Sequence, residues 1–167
     1  MRIACAALVA LLAVAAGTAP AATPRLATVD CDDAAGSVSQ PGGTLYGQRL
    51  ALSWGAKARK LVPSGNVRYP YQSKLPLFIR AGGRAFTIQV APTWHRPAGM
   101  AWDNRGDATP AIARGVHVLP CPGGDKLSVW LAYPGAFYVE RPACLPIVIT
   151  IGAKRYRARV PLGRACP

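Results

Sequence analysis

The sequence predicts an all-β protein: an antiparallel β-sandwich of immunoglobulin-like architecture with seven to nine short strands. Three observations carry this. Apolar and polar residues alternate in short runs, turn residues separate the runs at intervals of about ten residues, and nothing after residue 22 repeats at the 3.6-residue period of a helix. Side chains of a strand point alternately to its two faces, so a period of 2 marks a strand with one face buried.

Taken in order, residues 1–22 read as an export signal. Arg2 is the positive start, Ile3–Ala16 an apolar run, and Ala19-Pro20-Ala21-Ala22 a small-residue cleavage zone. A run of ~14 apolar residues is short for a bilayer span, so cleavage after Ala21 or Ala22 is expected, with no transmembrane span left. Residues 23–47, rich in Gly, Ser, Pro and Asp, read as a loosely structured lead-in. Residues 48–167 then form a single sandwich domain. Leu50, Leu52 and Trp54 alternate with Ala51 and Ser53, and Lys57–Tyr71 is a long basic connection. Leu75, Leu77 and Ile79 share one face and Phe86, Ile88 and Val90 another. Gly82-Gly83 between them predicts a hairpin, because glycine tolerates the positive φ of such turns. Met100–Trp102 reads as a short strand before an Asp103-Asn104-Arg105-Gly106 turn.

The stretch Val116–Ile151 organises the rest. Val116 and Val118 flank His117, and Leu127, Val129 and Leu131 alternate with Ser128 and Trp130. Pro134-Gly135 turns the chain into Ala136–Glu140. Leu145–Ile151 is nearly continuous apolar sequence, which predicts a central strand covered on both faces. Gly152-Ala153 leads into Lys154–Val160, with Arg155, Arg157 and Arg159 on one face and Tyr156, Ala158 and Val160 on the other.

Removing residues 1–22 leaves 19 Lys+Arg against 7 Asp+Glu, a net charge of +12. The remaining cysteines are Cys31, Cys121, Cys144 and Cys166. Four cysteines in an exported chain favour two disulfides with three possible connectivities. The preferred pairing is Cys121–Cys144, tying the central runs, with Cys31–Cys166, tying the termini. Cys121, Trp130 and Cys144 are spaced superficially like an immunoglobulin core, but too tightly for the usual bridge between sheets.

The run Pro134-Gly135-Ala136-Phe137-Tyr138-Val139, then Arg141-Pro142-Ala143-Cys144 and Gly163-Arg164-Ala165-Cys166, with Val118-Leu119-Pro120-Cys121 upstream, resembles small secreted proteins of high-GC Gram-positive bacteria. Ala136 stands where their Gly-Gly-Phe turn has its second glycine. The resemblance covers about the last 50 residues; it implies export and a β fold and brings no active site with it.

Catalytic chemistry has little to work with. A glycosidase needs two facing carboxylates, and of Asp30, Asp32, Asp33, Asp103, Asp107, Asp125 and Glu140 only Asp103 with Glu140 is a conceivable pair. Most of the others sit in turns, where Asp is common for its local hydrogen bonds. There is no Gly-x-Ser-x-Gly elbow. His95, Met100, His117 and Cys121 are the residue types of a copper site, but no histidine follows Cys121 closely. Asp103–Asp107 lacks the spacing of a calcium loop, and Arg105-Gly106-Asp107 reads as a polar turn. Trp94, Trp102 and Tyr69-Pro70-Tyr71 would make a sugar platform if exposed, with core filling as the competing role.

Positive charge is the strongest functional signal. Arg155, Arg157 and Arg159 line a strand face, and Lys57, Arg59 and Lys60 crowd the long connection. Such fields attract anionic partners, although arginines on a strand also simply block edge pairing. The expectation is an exported, non-catalytic module at or outside the cell envelope, holding an anionic envelope polymer through these six residues and needing no cofactor. Nucleic acid is not the expected polymer. One alternative is a secreted protein-binding or inhibitor module presenting a rigid loop such as Pro92–Pro97 or Pro120–Gly124. Another is a small hydrolase or metal-binding protein without a recognisable motif.

Overall fold

The structure, a computed structural model, describes residues 26–53, 57–102, 111–122 and 129–167. The proposed export signal lies outside them. Fourteen strands are present among the described residues: β1 (Ala27–Val29), β2 (Gly36–Val38), β3 (Thr44–Tyr46), β4 (Leu50–Leu52), β5 (Val62–Pro63), β6 (Tyr71–Lys74) and β7 (Leu77–Arg80), followed by β8 (Phe86–Val90), β9 (Ala98–Ala101), β10 (Gly115–Val118), β11 (Trp130–Tyr133), β12 (Ala136–Val139), β13 (Ala143–Ile151) and β14 (Lys154–Leu162). The only described helix is a single 3₁₀ turn, Cys31–Asp33. No helix among the described residues is long and apolar enough to cross a membrane.

The strands form three sheets, ordered β1-β10-β8-β13-β14, β2-β11-β7-β4-β3 and β5-β6-β12-β9. Every strand pairing is antiparallel except β1 with β10. The two five-stranded sheets contribute to one core, in which Ile88, Val116, Leu145, Ile147 and Val160 of the first meet Leu50, Leu52, Leu77, Ile79 and Tyr133 of the second. Phe137, Val139 and Met100 of the third sheet join the same core. The opposite face of β12 packs Ala136 and Tyr138 with Tyr69 and Ala101. An immunoglobulin sandwich joins a four-stranded to a three-stranded sheet, so these orders do not establish that arrangement.

Several elements differ from the sequence expectation. The described part of the expected lead-in, residues 26–47, is built into the sheets: β1 is an edge of the first sheet, and β2 and β3 are both edges of the second. Edge strands are short and polar because one side of their backbone faces solvent, which is why this stretch looks like a loop. These short strands also raise the count above nine. Gly82-Gly83 is not a hairpin turn, since β7 pairs with β4 and β11 while β8 pairs with β10 and β13. It is a corner between sheets. Gly82 adopts φ 75°, and the Arg49 guanidinium lies 1.5 Å from where a Cβ on Gly83 would be. A side chain there would expel it. Pro134-Gly135 likewise moves the chain from the second sheet to the third, with a Cβ at Gly135 only 2.1 Å from Trp102.

The run Leu145–Ile151 is a central strand but is not covered on both faces. Leu145, Ile147 and Ile149 are buried, while Pro146, Val148 and Thr150 are half-exposed on the outer face. The hairpin at Gly152-Ala153 is as expected, pairing Ile151 with Lys154 around a glycine at φ 57°. Tyr156 turns inward and meets Tyr46 edge-on, with ring centroids 5.8 Å apart.

All four described cysteines are bridged, but as Cys31–Cys121 and Cys144–Cys166. The expected pairing is overturned, and strand register explains why. The parallel ladder aligns Val29 with Val118 and continues through the Leu119 amide to the Val29 carbonyl at 2.9 Å. The two chains therefore leave the sheet side by side, bringing Cys31 and Cys121 to a Cα separation of 5.5 Å. At the other end Cys144 lies opposite Pro161, and the chain turns at Gly163 to return Cys166 to it.

Tyr133 ties this bridge to the second sheet. Its hydroxyl is 3.3 Å from Cys121 Sγ and must be the donor, because a disulfide sulfur carries no proton. The side chain is fully buried, and burial, then the negative charges of Asp33, Asp30 and Asp32, pushes its pKa up to about 12.

Non-reducing proteolysis with mass spectrometry should give linked peptides joining Cys31 to Cys121 and Cys144 to Cys166; a Cys121–Cys144 peptide would refute the pairing. Replacing both cysteines of the 90-residue loop by serine should cost on the order of 4 kcal/mol in urea unfolding, and the 22-residue loop about 3. In an alkaline titration followed at the phenolate absorption, one tyrosine should ionise near 12 rather than 10. Unfolded Tyr133 loses its proton first, so its contribution, on the order of 2 kcal/mol, is intact below pH 10 and lost as pH rises towards 12.

Candidate functional site

The long basic connection folds back as a hairpin. β5 pairs with β6, and the intervening loop is held by Asn66, whose side-chain oxygen accepts from the amides of Arg68 (2.9 Å) and Tyr69 (3.0 Å), and by the Ser64 hydroxyl on the Tyr69 carbonyl. This folding builds a cleft of about 1030 Å³ lined by Lys57, Ala58, Arg59, Lys60, Val62, Ser73 and Lys74. Four of these residues are cations and none is a carboxylate. Lys57, Lys60 and Lys74 are exposed, so their charges face solvent.

Arg59 differs from its neighbours. Its guanidinium donates to the carbonyls of Ser53 (3.1 Å) and Lys74 (3.3 Å). Its backbone amide donates to the Pro161 carbonyl at 2.6 Å, and its carbonyl accepts from the Gly163 amide at 2.8 Å. These bonds form a parallel bridge between Arg59 and Leu162 along the outer edge of β14. Arg59 is thus half structural, pinning the cleft to the end of the arginine strand.

On β14 the alternation holds. Arg155, Arg157 and Arg159 are exposed on the outer face, while Val160 and Leu162 enter the core. Arg159 donates to the Pro167 carbonyl at 3.3 Å. The two basic groups, about a hundred residues apart in sequence, therefore share one edge of the molecule. The strand from Arg155 to Leu162 spans roughly 23 Å, and the cleft lies beside its Leu162 end. Lys74 and Ser73 complete the site. Sequence reasoning missed both, because only the β5–β6 pairing turns them towards Lys57 and Lys60.

The other candidates are dispersed. Met100 is fully buried in β9, Cys121 is bonded to Cys31, His95 is exposed after β8, and His117 lies on the outer face of β10. No group of three or more His, Cys, Asp or Glu among the described residues could hold a metal ion. Glu140 is exposed at the end of β12; Asp103, Asp107 and Asp125 lie outside the described residues, as do Trp54 and Arg105. Asp30 and Asp33 cap the 3₁₀ turn, Asp30 Oδ1 accepting from the Asp32 amide and Asp33 Oδ2 from the Asp30 amide. The aromatic platform does not form. Trp102 is buried, its indole donating to the Leu75 carbonyl at 2.8 Å, and Tyr69 and Trp130 are buried too.

Comparison with protein-family models, with curated proteins and with solved structures finds no match to this chain.

Because Arg59 bridges two carbonyls and the lysines do not, their substitutions should separate. Arg59→Lys should lower stability by about 1–2 kcal/mol, since a point-like ammonium cannot span both acceptors. Lys57→Gln and Lys60→Gln should stay within about 0.5 kcal/mol of the parent. Urea unfolding of the three variants checks this.

Proposed function

We propose that this protein is an exported, non-catalytic β-sandwich module that binds an anionic polymer of the cell envelope along one basic edge. The observation that carries the reading is the bridge between Arg59 and Leu162, which sets the cleft cations Lys57, Arg59, Lys60 and Lys74 beside the end of the strand that carries Arg155, Arg157 and Arg159. A run of like charges with no carboxylate in the cleft destabilises the free protein slightly and is relieved by a bound polyanion. An extended track suits an extended ligand, which gains affinity by occupying several weak positions at once. Two disulfides and the signal-like N-terminus support an oxidising, extracytoplasmic location. The resemblance to small secreted proteins of high-GC Gram-positive bacteria agrees with it.

A second reading has its own observation. The segment 92–97 is stiffened by Arg114, whose guanidinium donates to the carbonyls of Trp94 (2.6 Å) and Arg96 (3.5 Å), with Arg96 stacked 5.7 Å over the Trp94 ring. A loop ordered in advance loses little entropy on binding, as an inhibitor or other protein-binding loop requires.

Long-chain polyphosphate, a polyanion without hydroxyls, tests the first reading. Its affinity should fall steeply and log-linearly with salt, and Arg155→Gln/Arg157→Gln/Arg159→Gln or Lys57→Gln/Lys60→Gln should each weaken binding and flatten the slope. A salt-insensitive complex with one extracellular protein, lost when Arg96 and Trp94 are changed, would replace this reading with the second.

A further inference from the structure

The outer face of the β1-β10-β8-β13-β14 sheet carries a pattern of its own. Strand register places Thr28 opposite His117, His117 opposite Thr87, Thr87 opposite Thr150, and Thr150 opposite Arg155. One row of five side chains thus crosses all five strands, about 19 Å from end to end at about 4.8 Å per strand. The next row runs from Gly115 through Gln89 and Val148 to Arg157. Thr28 is exposed, and Thr87, Gln89, His117, Val148 and Thr150 are half-exposed, so no described segment seals this face.

The chemistry of the two rows is unusual for so basic a chain. A solvated sheet face of a charged protein ordinarily mixes lysines with carboxylates. Here the four strands β1, β10, β8 and β13 present hydroxyl, imidazole, amide and aliphatic groups in these rows, and charge enters only at β14. Threonine hydroxyls and the glutamine amide both donate and accept hydrogen bonds, which matches the two-way hydrogen bonding of sugar hydroxyls. Arginine presents its planar fork to carboxylates. With no Phe, Tyr or Trp in either row, recognition falls to hydrogen bonds and charge rather than ring stacking.

We propose that this face is the platform for an acidic polysaccharide, whose hydroxyls engage Thr87, Thr150, Gln89 and His117 while its carboxylates engage Arg155 and Arg157. The proposal rests on reading β14 as a polyanion-binding strand, and it adds the class of polymer. Such a ligand crosses the strands from the uncharged rows to the arginine edge.

The experiment compares polygalacturonate, polyphosphate and neutral dextran binding to the intact disulfide-bonded protein, with Thr87→Val/Thr150→Val and Thr87→Ser/Thr150→Ser as variants. Valine keeps the shape and strand preference of threonine, and serine keeps the hydroxyl. Polygalacturonate should bind better than polyphosphate at matched charge and better than dextran. The valine pair should lose about tenfold in polygalacturonate affinity with polyphosphate unchanged, and the serine pair should retain most of it. Equal binding of the two polyanions, with the valine pair inert, overturns this proposal and leaves the polyanion reading standing. Dextran binding as well as polygalacturonate also overturns it. Failure of both polyanions to bind sinks both.

Discussion

The bridge between Cys31 and Cys121 is the constraint on which the architecture depends. It closes a loop of 90 residues across the exit of the only parallel strand pair among the described residues, so that most of the chain folds between two fixed points. Parallel pairing brings no tight hairpin to hold it and is slightly weaker per residue than antiparallel pairing. A covalent tie at its end offsets both weaknesses. Tyr133 carries the constraint into the second sheet through its hydroxyl on Cys121, and the 3₁₀ turn with its Asp30–Asp33 cap redirects the chain from β1 towards β2.

From that point the N-terminal segment acts as an edge-closing strap. Three of the four edges of the two large sheets are β1, β2 and β3, all from residues 27–46. The fourth is β14, and it is protected by other means: exposed arginines along its length and the Arg59 bridge at its end. Exposed edges invite pairing with other chains unless charge or cover prevents it. The exposed arginines on β14 thus block such pairing whatever else they do.

The molecule consequently divides its surfaces by chemistry. Rings that would suit sugar stacking, Trp102, Trp130 and Tyr69, are consumed by the core and by the small cluster behind β12. Outside lie a hydroxyl-rich sheet face bounded by a cationic strand, and a cationic cleft beside that strand's end. Both favour ligands recognised through hydrogen bonds and charge. The stiff loop at residues 92–97, by contrast, is shaped by packing and presents the half-buried Trp94 beneath Arg96.

The sequence by itself determined the class of fold and the outward direction of Arg155, Arg157 and Arg159. These follow from local rules: alternation at period 2 is a property of each strand, and Gly152-Ala153 makes its hairpin wherever the strands go. Only the tertiary structure decided which strands are neighbours. Gly82-Gly83 and Pro134-Gly135 have the composition of hairpin turns, yet each carries the chain to a different sheet, because Arg49 and Trp102 pack where a glycine leaves room. The disulfide pairing, the edge role of residues 27–46 and the joining of Arg59 to Leu162 depend on contacts between residues up to about a hundred positions apart. Local periodicity carries no information about such contacts. They are set by which apolar faces can be buried together, and that is a property of the whole chain.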